Sequence, residues 1–313
     1  MAGGADGLQF EEGEGMKLNA EAHCQPDAQR DGMHILSLGA GVQSSTLALM
    51  AAHGEVTGYP HLTAAVFADT QDEPQSVYKW LDWLEAEIQR CPHPFPVHRV
   101  TKGRLSKEAV KMRTTKDGRD YTRTVVPFFT VQPDGSTGKV MGRFCTVDYK
   151  VKPVLSHVRQ IAGIKRGQKE VGVVQWIGIS LDEIQRMKES REPWAKNAWP
   201  LIDMRMKRSD CKEWMKRKGY PEPPRSSCVY CPFHNNDEWR RLKTEEPEEF
   251  QKAVEFERRL QGSKESVDDI AGTPFLHRSM KPLDEIDFRN DIDRGQGVLD
   301  FGFNNECEGM CGV

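Results

Sequence analysis

The segment that most constrains the fold runs Met33-His-Ile-Leu-Ser-Leu38-Gly39-Ala-Gly41-Val-Gln43-Ser-Ser45: an apolar run broken by two glycines and two serines, then followed by a second apolar block. Met33 to Leu38 reads as a short buried strand, and Gly39 to Ser45 as a tight loop. Thr46 to His53 reads as the helix that follows, with Leu47, Ala48, Leu49, Met50 and Ala51 available for burial. Leu62 to Asp69 predicts a second strand. After Pro74, Val77, Trp80, Leu81 and Leu84 recur at helical spacing. Strand, loop, helix, strand, helix predicts an α/β fold, a mostly parallel open sheet flanked by helices.

Residues 1–30 are polar and read as a flexible arm. Residues 31–205 form the predicted core, with Val97 to Val100 as a further strand. An insertion over 103–145 reads as a long loop or small hairpin, with a helical turn at Lys107–Lys111. Val151 to Ile161 fits a helix packed through Val154, Leu155, Val158 and Ile161, and places His157 on its apolar face as a hydrogen-bonded core histidine. Val171 to Ile179 predicts another buried strand, and residues 182–191 a helix. Residues 206–313 form a helical, cysteine-containing C-terminal extension, with helices over 209–218, 235–243 and 247–260.

The net charge of −3 does not favour a polyanionic partner on average. Its distribution does: residues 99–123 hold nine Lys/Arg against three Asp/Glu, and residues 205–218 hold seven against two. Both blocks are candidate surfaces for tRNA or DNA, or else solvated helix faces. No stretch reaches the roughly 18 apolar residues of a membrane span, so no membrane partner is expected. The N-terminal residues lack a basic end and an apolar stretch, which makes a cytoplasmic location the expectation. Eight cysteines in 313 residues are too sparse for a disulfide scaffold, so their placement points instead to metal or redox chemistry.

Glycines let backbone amides approach an anion, serine hydroxyls add donors, and a following helix presents its N–H groups and positive dipole end. Ser37, Gly39, Gly41, Gln43, Ser44 and Ser45 are therefore candidate phosphate-binding residues. The segment is neither GxxxxGK[ST] nor GxGxxG. Ser37–Ser45 resembles the pyrophosphatase loop (PP-loop) of the adenine nucleotide α-hydrolase superfamily, particularly the phosphoadenosine phosphosulfate reductase family. Ala40 interrupts the usual glycine pair, and Gln43 stands where an aspartate is usual. Asp69-Thr70 with Glu73-Pro74 resembles the family's DTG…PET segment. Gly178-Ile-Ser180-Leu-Asp-Glu183 with Arg186 resembles its G[IV]R..E..R segment, with Ser180 in place of the first arginine. The resemblance implies a parallel core of five or six strands with the nucleotide across the strand ends. It makes Asp69 a catalytic carboxylate or one that holds ribose, a cation or the adenine-side loop, and gives Gly178, Glu183 and Arg186 to the nucleotide site. The phosphate contact of that arginine is then either lost or supplied by Lys188 or Arg191.

Cys228-Val-Tyr-Cys231-Pro232 is the sharpest cysteine signal. Two thiolates at that spacing suit an iron–sulfur cluster, a zinc knuckle or a dithiol pair. Cys145-Thr-Val-Asp-Tyr-Lys150-Val-Lys-Pro153 resembles the CC..RK..PL segment that supplies cluster ligands in the family's iron–sulfur branch, with one cysteine where that pattern has two. The resemblance implies a [4Fe–4S] cluster on Cys145, Cys228, Cys231 and Cys307, with Cys211, Cys311 or His234 as other fourth ligands and Zn²⁺ as the alternative metal. Cys24 and Cys91 read as bystanders. The end Glu306-Cys307-Glu-Gly-Met-Cys311-Gly resembles the reductase family's terminal ECG[IL]H motif only in part. It makes Cys307 and Cys311 candidate nucleophiles as well as ligands.

The expected function is a PP-loop enzyme that uses ATP or a related adenine nucleotide, with Mg²⁺ as a possible counterion, in sulfur transfer or tRNA or DNA modification. Its partners would include a sulfur donor or a thiol reductant protein, and a homo-oligomer is a further possibility. The alternatives are an adenylyl-sulfate reductase, in which a tail cysteine attacks sulfur, and a nucleotide-dependent binding protein without chemistry.

Overall fold

The computed structural model describes residues 32–123, 125–140, 144–265 and 272–289. The expected residues 1–30 arm, Cys24, Cys307 and Cys311 lie outside them. The chain opens with β1 (Met33–Leu38), α1 (Val42–His53), β2 (Ala64–Asp69), α2 (Gln75–Ile88) and β3 (Val97–Thr101). Next come α3 (Leu105–Ala109), β4 (Met112–Thr114), β5 (Asp120–Thr122), β6 (Phe128–Val131) and β7 (Thr137–Val140). A π-helical turn, Thr146–Val151, leads into α4 (Lys152–Ile161), then β8 (Val173–Ile177) and β9 (Ala195–Ala198). The described chain ends with α5 (Pro200–Asp203), α6 (Arg208–Arg217), α7 (Asn236–Glu245), α8 (Pro247–Glu265) and β10 (Thr273–Phe275).

Five strands form one parallel sheet in the order β3-β2-β1-β8-β9. Successive side chains on a strand point to opposite faces, and both faces are covered here. Leu36, Leu38, Ala65, Phe67 and Trp176 pack with α1, α2 and α6. Ile35, Val66, Ala68 and Val173 pack with Val154 and Val158 of α4. This is the α/β architecture with a parallel sheet between helices. Helix α1 is buried from Val42 to Ala52, as a helix enclosed by sheet and neighbouring helices must be. Helix α2 has one buried stripe, Val77, Trp80, Leu81, Leu84 and Ile88.

A second core joins the insertion to the C-terminal helices. Leu105, Val125, Val126 and Phe128 pack with Trp239, Phe250, Val254 and Phe256, and with Tyr230 between the two cysteines of the CxxC segment. Strand β10 pairs antiparallel with β6, so a strand from beyond α8 completes the sheet begun in the insertion.

Several local expectations are corrected. Helix α1 starts at Val42, four residues early, because Ala40 adopts a left-handed φ of 60° and closes the turn within Gly39–Gly41. The second and later buried strands are shorter than expected, at Ala64–Asp69 and Val173–Ile177. The helix expected over 182–191 is only a 3-10 turn, Leu181–Arg186, in which Glu183 leaves helical dihedrals at φ −116°, ψ 20°. Strand β9 was not foreseen, since Ala-Lys-Asn-Ala carries no apolar run. His157 is not a hydrogen-bonded core histidine: it is half-buried beside the His98 ring, and its buried Nε2 has no partner. Among the described residues no helix is long and apolar enough to cross a membrane.

Candidate functional site

The carboxyl ends of β1, β2 and β8 meet where the strand order reverses. From β1 the chain moves outward to β2 and β3, then returns to β8 on the other side of β1. A crevice opens at such a switch point, outside the strand ends, in open α/β sheets. The Gly39–Gly41 turn sits there, with Gly41 as the extended N-cap of α1. Gly178, just past β8, packs on the same turn: a Cβ at this position would lie 2.9 Å from Ser44 Cα and 3.0 Å from Ser44 N. Glycine is needed for this approach of backbone to backbone.

The loop residues divide into those that build the turn and those that face across it. Gly39 N–H donates to Ser44 Oγ at 3.2 Å, and Ser44 Oγ–H to the Gly41 carbonyl at 3.4 Å. Ser45 accepts from the Trp80 indole N–H at 3.0 Å, fixing α1 to α2. Ser37 accepts from Gln175 Nε2 within the sheet. The three serine hydroxyls thus hold the cradle's shape, and the anion-binding capacity lies in the first-turn amides of α1, which have no carbonyl partner within the helix.

Gln43 is fully buried and joins three elements. Its Nε2 donates to Ser180 Oγ at 3.3 Å and to Glu183 Oε2 at 3.1 Å. Its Oε1 accepts from Arg208 Nη1 at 2.8 Å. An aspartate at this position could not donate to Glu183, whereas the carboxamide both donates and accepts. Arg186 pairs with Glu183 at 2.5 Å, yet burial still pushes the Glu183 carboxyl above its ordinary range. Arg208 belongs to the basic 205–218 block and carried no local motif, so sequence reasoning looked to Lys188 and Arg191 instead. The Lys188 carbonyl serves the fold by accepting from Asn197 Nδ2 at 2.8 Å.

At the end of β2, Asp69 Oδ1 accepts from Gln71 N at 2.7 Å and from Tyr78 OH at 2.8 Å. Asp69 and Glu73 line a cavity of about 590 Å³ that continues between the CxxC segment and α8. The CxxC segment is tied to the strand end, since Val229 N–H donates to the Asp72 carbonyl at 2.9 Å. Cys228 Sγ lies 3.2 Å from Thr70 Oγ1 and 3.6 Å from Glu73 Oε1. Lys150, from the π-helical turn, reaches Glu73 Oε1 at 3.4 Å, while the buried Glu73 Oε2 has no hydrogen-bond partner.

Burial raises both thiols of the CxxC pair, Cys228 well above its ordinary range and Cys231 to about 11. Charge on Cys145 adds to the upward push on Cys231, and charge on Cys231 to that on Cys228. Cys145 and the CxxC segment come from two distant parts of the sequence, and Cys228 reaches the end of β2 through Thr70. Thiols are the ligand type an iron–sulfur cluster takes, and Cys228 and Cys231 supply two at CxxC spacing, beside the buried Glu73 Oε2 that has no partner. No group of three or more His, Cys, Asp or Glu is drawn together around one ion position among the described residues. Cys211 is not in this group: it is fully buried in the α1–α6 core. His234 is adjacent in sequence and bonds Ser227 Oγ at 2.8 Å through Nε2; its buried Nδ1 has no partner.

No protein-family model matches the chain, and no curated protein matches it.

Proposed function

We propose that the chain is a PP-loop enzyme that binds an adenine nucleotide at the carboxyl ends of β1, β2 and β8 and uses it in sulfur transfer or nucleic-acid modification. One observation carries the reading: the Gly39–Gly41 turn follows β1 at the sheet's switch point, with Gly178 after β8 seated against Ser44 in the first turn of α1. Amides there bind the phosphates, and Arg208 and Arg186 supply positive charge for the phosphate that leaves. Asp69 takes the ribose or a counterion such as Mg²⁺. Cys145, Cys228 and Cys231 would hold an iron–sulfur cluster, whose chemistry when bound is to carry sulfur or electrons. The protein's own part is to bury Cys228 beside the strand end, next to Glu73, with Cys145 and Cys231 partly exposed.

The nearness of the cysteines to the nucleotide crevice supports coupling between the two. Thr70 and Glu73, which contact Cys228, immediately follow Asp69 at the end of β2. The test is to purify the full chain without oxygen and measure iron and sulfide. Release of pyrophosphate from ATP is then compared with release of sulfite from adenylyl sulfates. Iron with pyrophosphate release is the expected result. Sulfite release would identify a reductase instead, and ATP binding with neither product would identify a nucleotide-dependent binding protein.

A further inference from the structure

We infer that the β4–β5 hairpin, Arg123, Phe144 and the π-helical turn together form a docking surface for unpaired nucleotides of a single-stranded nucleic acid. Its position beside Cys145 gives it meaning through the proposed function, but the surface itself rests on separate observations.

The first is charge. Lys102, Arg104, Lys107, Lys111, Lys116, Arg119 and Arg123 are all exposed. Three cations converge on one buried carboxylate: Lys152 Nζ lies 2.6 Å from Asp148 Oδ1, Lys102 Nζ lies 3.8 Å from Oδ2, and Arg123 also contacts Oδ2. Asp148 is 3% exposed, while the three cationic side chains are 43%, 43% and 66% exposed. One carboxylate thus gathers three cationic heads, a net positive cluster on side chains that stay partly in water. A row of phosphates is the chemistry that such an arrangement takes.

The second is aromatic surface in the same place. Phe144 is 49% exposed, with the Arg123 guanidinium 5.7 Å from its ring centroid. Tyr121 is 37% exposed and stands opposite Arg113 in the hairpin, on the face away from buried Thr122. Met112, opposite Thr122 in the hairpin, and Val147, in the π-helical turn, are exposed as well. Large apolar groups left in water among cations are the pattern of a stacking platform, where each ring takes a base and each cation a phosphate. A duplex offers phosphates but keeps its base faces stacked, whereas a single strand alternates a phosphate with a free base face at every residue. The combination selects unpaired nucleotides.

The third is backbone geometry. Pro153 has no N–H to continue a regular helix, and Lys152 N–H bonds the Val147 carbonyl five residues back. The wide turn is wound as a π-helix, a form frequent at functional sites. It carries Asp148 and Lys150, whose contacts reach the cation cluster and Glu73 respectively. A strand on this face would thus pass beside Cys145 and the end of β2.

The experiment uses the full chain, without nucleotide, and a short fluorescein-labelled oligouridylate or oligothymidylate followed by anisotropy. Saturable binding that weakens with salt is expected, tighter than for a duplex of equal length. Phe144→Ala should weaken single-strand binding about tenfold and leave duplex binding unchanged. The double variant Lys116→Ser, Arg119→Ser, away from Asp148, should reduce the salt dependence for both. Equal affinity for single strand and duplex with no effect of Phe144→Ala would overturn the inference. So would displacement by polyglutamate as effective as by unlabelled oligonucleotide. ATP binding measured on the same preparation reads the nucleotide site independently, so failure of one does not imply failure of the other.

Discussion

Arg208 donates to Oε1 of Gln43 at 2.8 Å, joining the first residue of α6 to the first turn of α1 across 165 residues of sequence. Because Gln43 Nε2 is committed to Glu183 and Ser180, its carbonyl oxygen is the atom that faces the guanidinium. Arg208→Ala removes charge from the crevice without opening the apolar core. It should weaken ATP at least about tenfold, the range expected for a charge-assisted contact, and weaken adenosine little. Equilibrium binding of both ligands checks this, and equal loss for the two would place Arg208 outside the phosphate site.

Gly178→Ala places a methyl carbon 2.9 Å from Ser44 Cα, where neither backbone can yield cheaply. The end of β8 and the first turn of α1 must separate. A destabilisation of about 1–3 kcal/mol is expected, together with loss of nucleotide affinity. Chemical denaturation and ATP titration of the same variant measure the two effects; full retention of both would refute the close-packing account.

Ser44 and Ser45 are neighbours with different duties. Ser45→Ala leaves the buried Trp80 indole N–H without its acceptor, at a cost of about 1–3 kcal/mol, and should leave ATP affinity unchanged. Ser44→Ala removes the acceptor of Gly39 N–H and frees the loop it closes, so affinity falls as well as stability. A Ser45→Ala protein with weakened ATP binding but native stability would reverse the assignment.

His277 gives an acid signature. Its Nδ1 accepts from Ser279 N–H at 3.1 Å and its Nε2 faces Asn236 Oδ1 at 3.0 Å, an arrangement that suits the neutral ring protonated on Nε2. Burial, with Arg278 beside it, lowers its pKa to about 4 from 6.5. Below about 6.5 the unfolded chain takes the proton while the folded ring stays neutral, so stability falls as pH drops through the window down to about 4. Denaturation midpoints at neutral and acid pH should converge in His277→Gln relative to the parent. An unchanged difference would show that His277 is not the group responsible.

The strand–turn–helix of residues 33–53 was legible because apolar burial and glycine placement are local properties. The parallel sheet followed from their repetition at Ala64–Ile88. Strand β9 was not legible, because Ala195–Ala198 is held by pairing with β8 and not by its own side chains. Nor was the extent of α1, which depends on Ala40 accepting a left-handed turn usually given to glycine. In the candidate site, Gln43, Glu183 and Arg186 were named from motif order, and the structure brings them together with Arg208, which has no motif. The approach of Cys228 to Thr70 at the end of β2, and the packing of Cys145 against the same second core, depend on long-range contacts. Spacing could suggest the CxxC pair alone. The tail cysteines Cys307 and Cys311 lie outside the described residues.

Equilibrium titration of the intact chain with ATP, read beside Gly178→Ala and Arg208→Ala, tests the central claim most directly. Saturable one-to-one binding is expected, competed by adenosine phosphates and reduced in both variants. No binding by a folded parent protein, or binding that neither substitution alters, would contradict an adenine-nucleotide site at the carboxyl ends of β1 and β8.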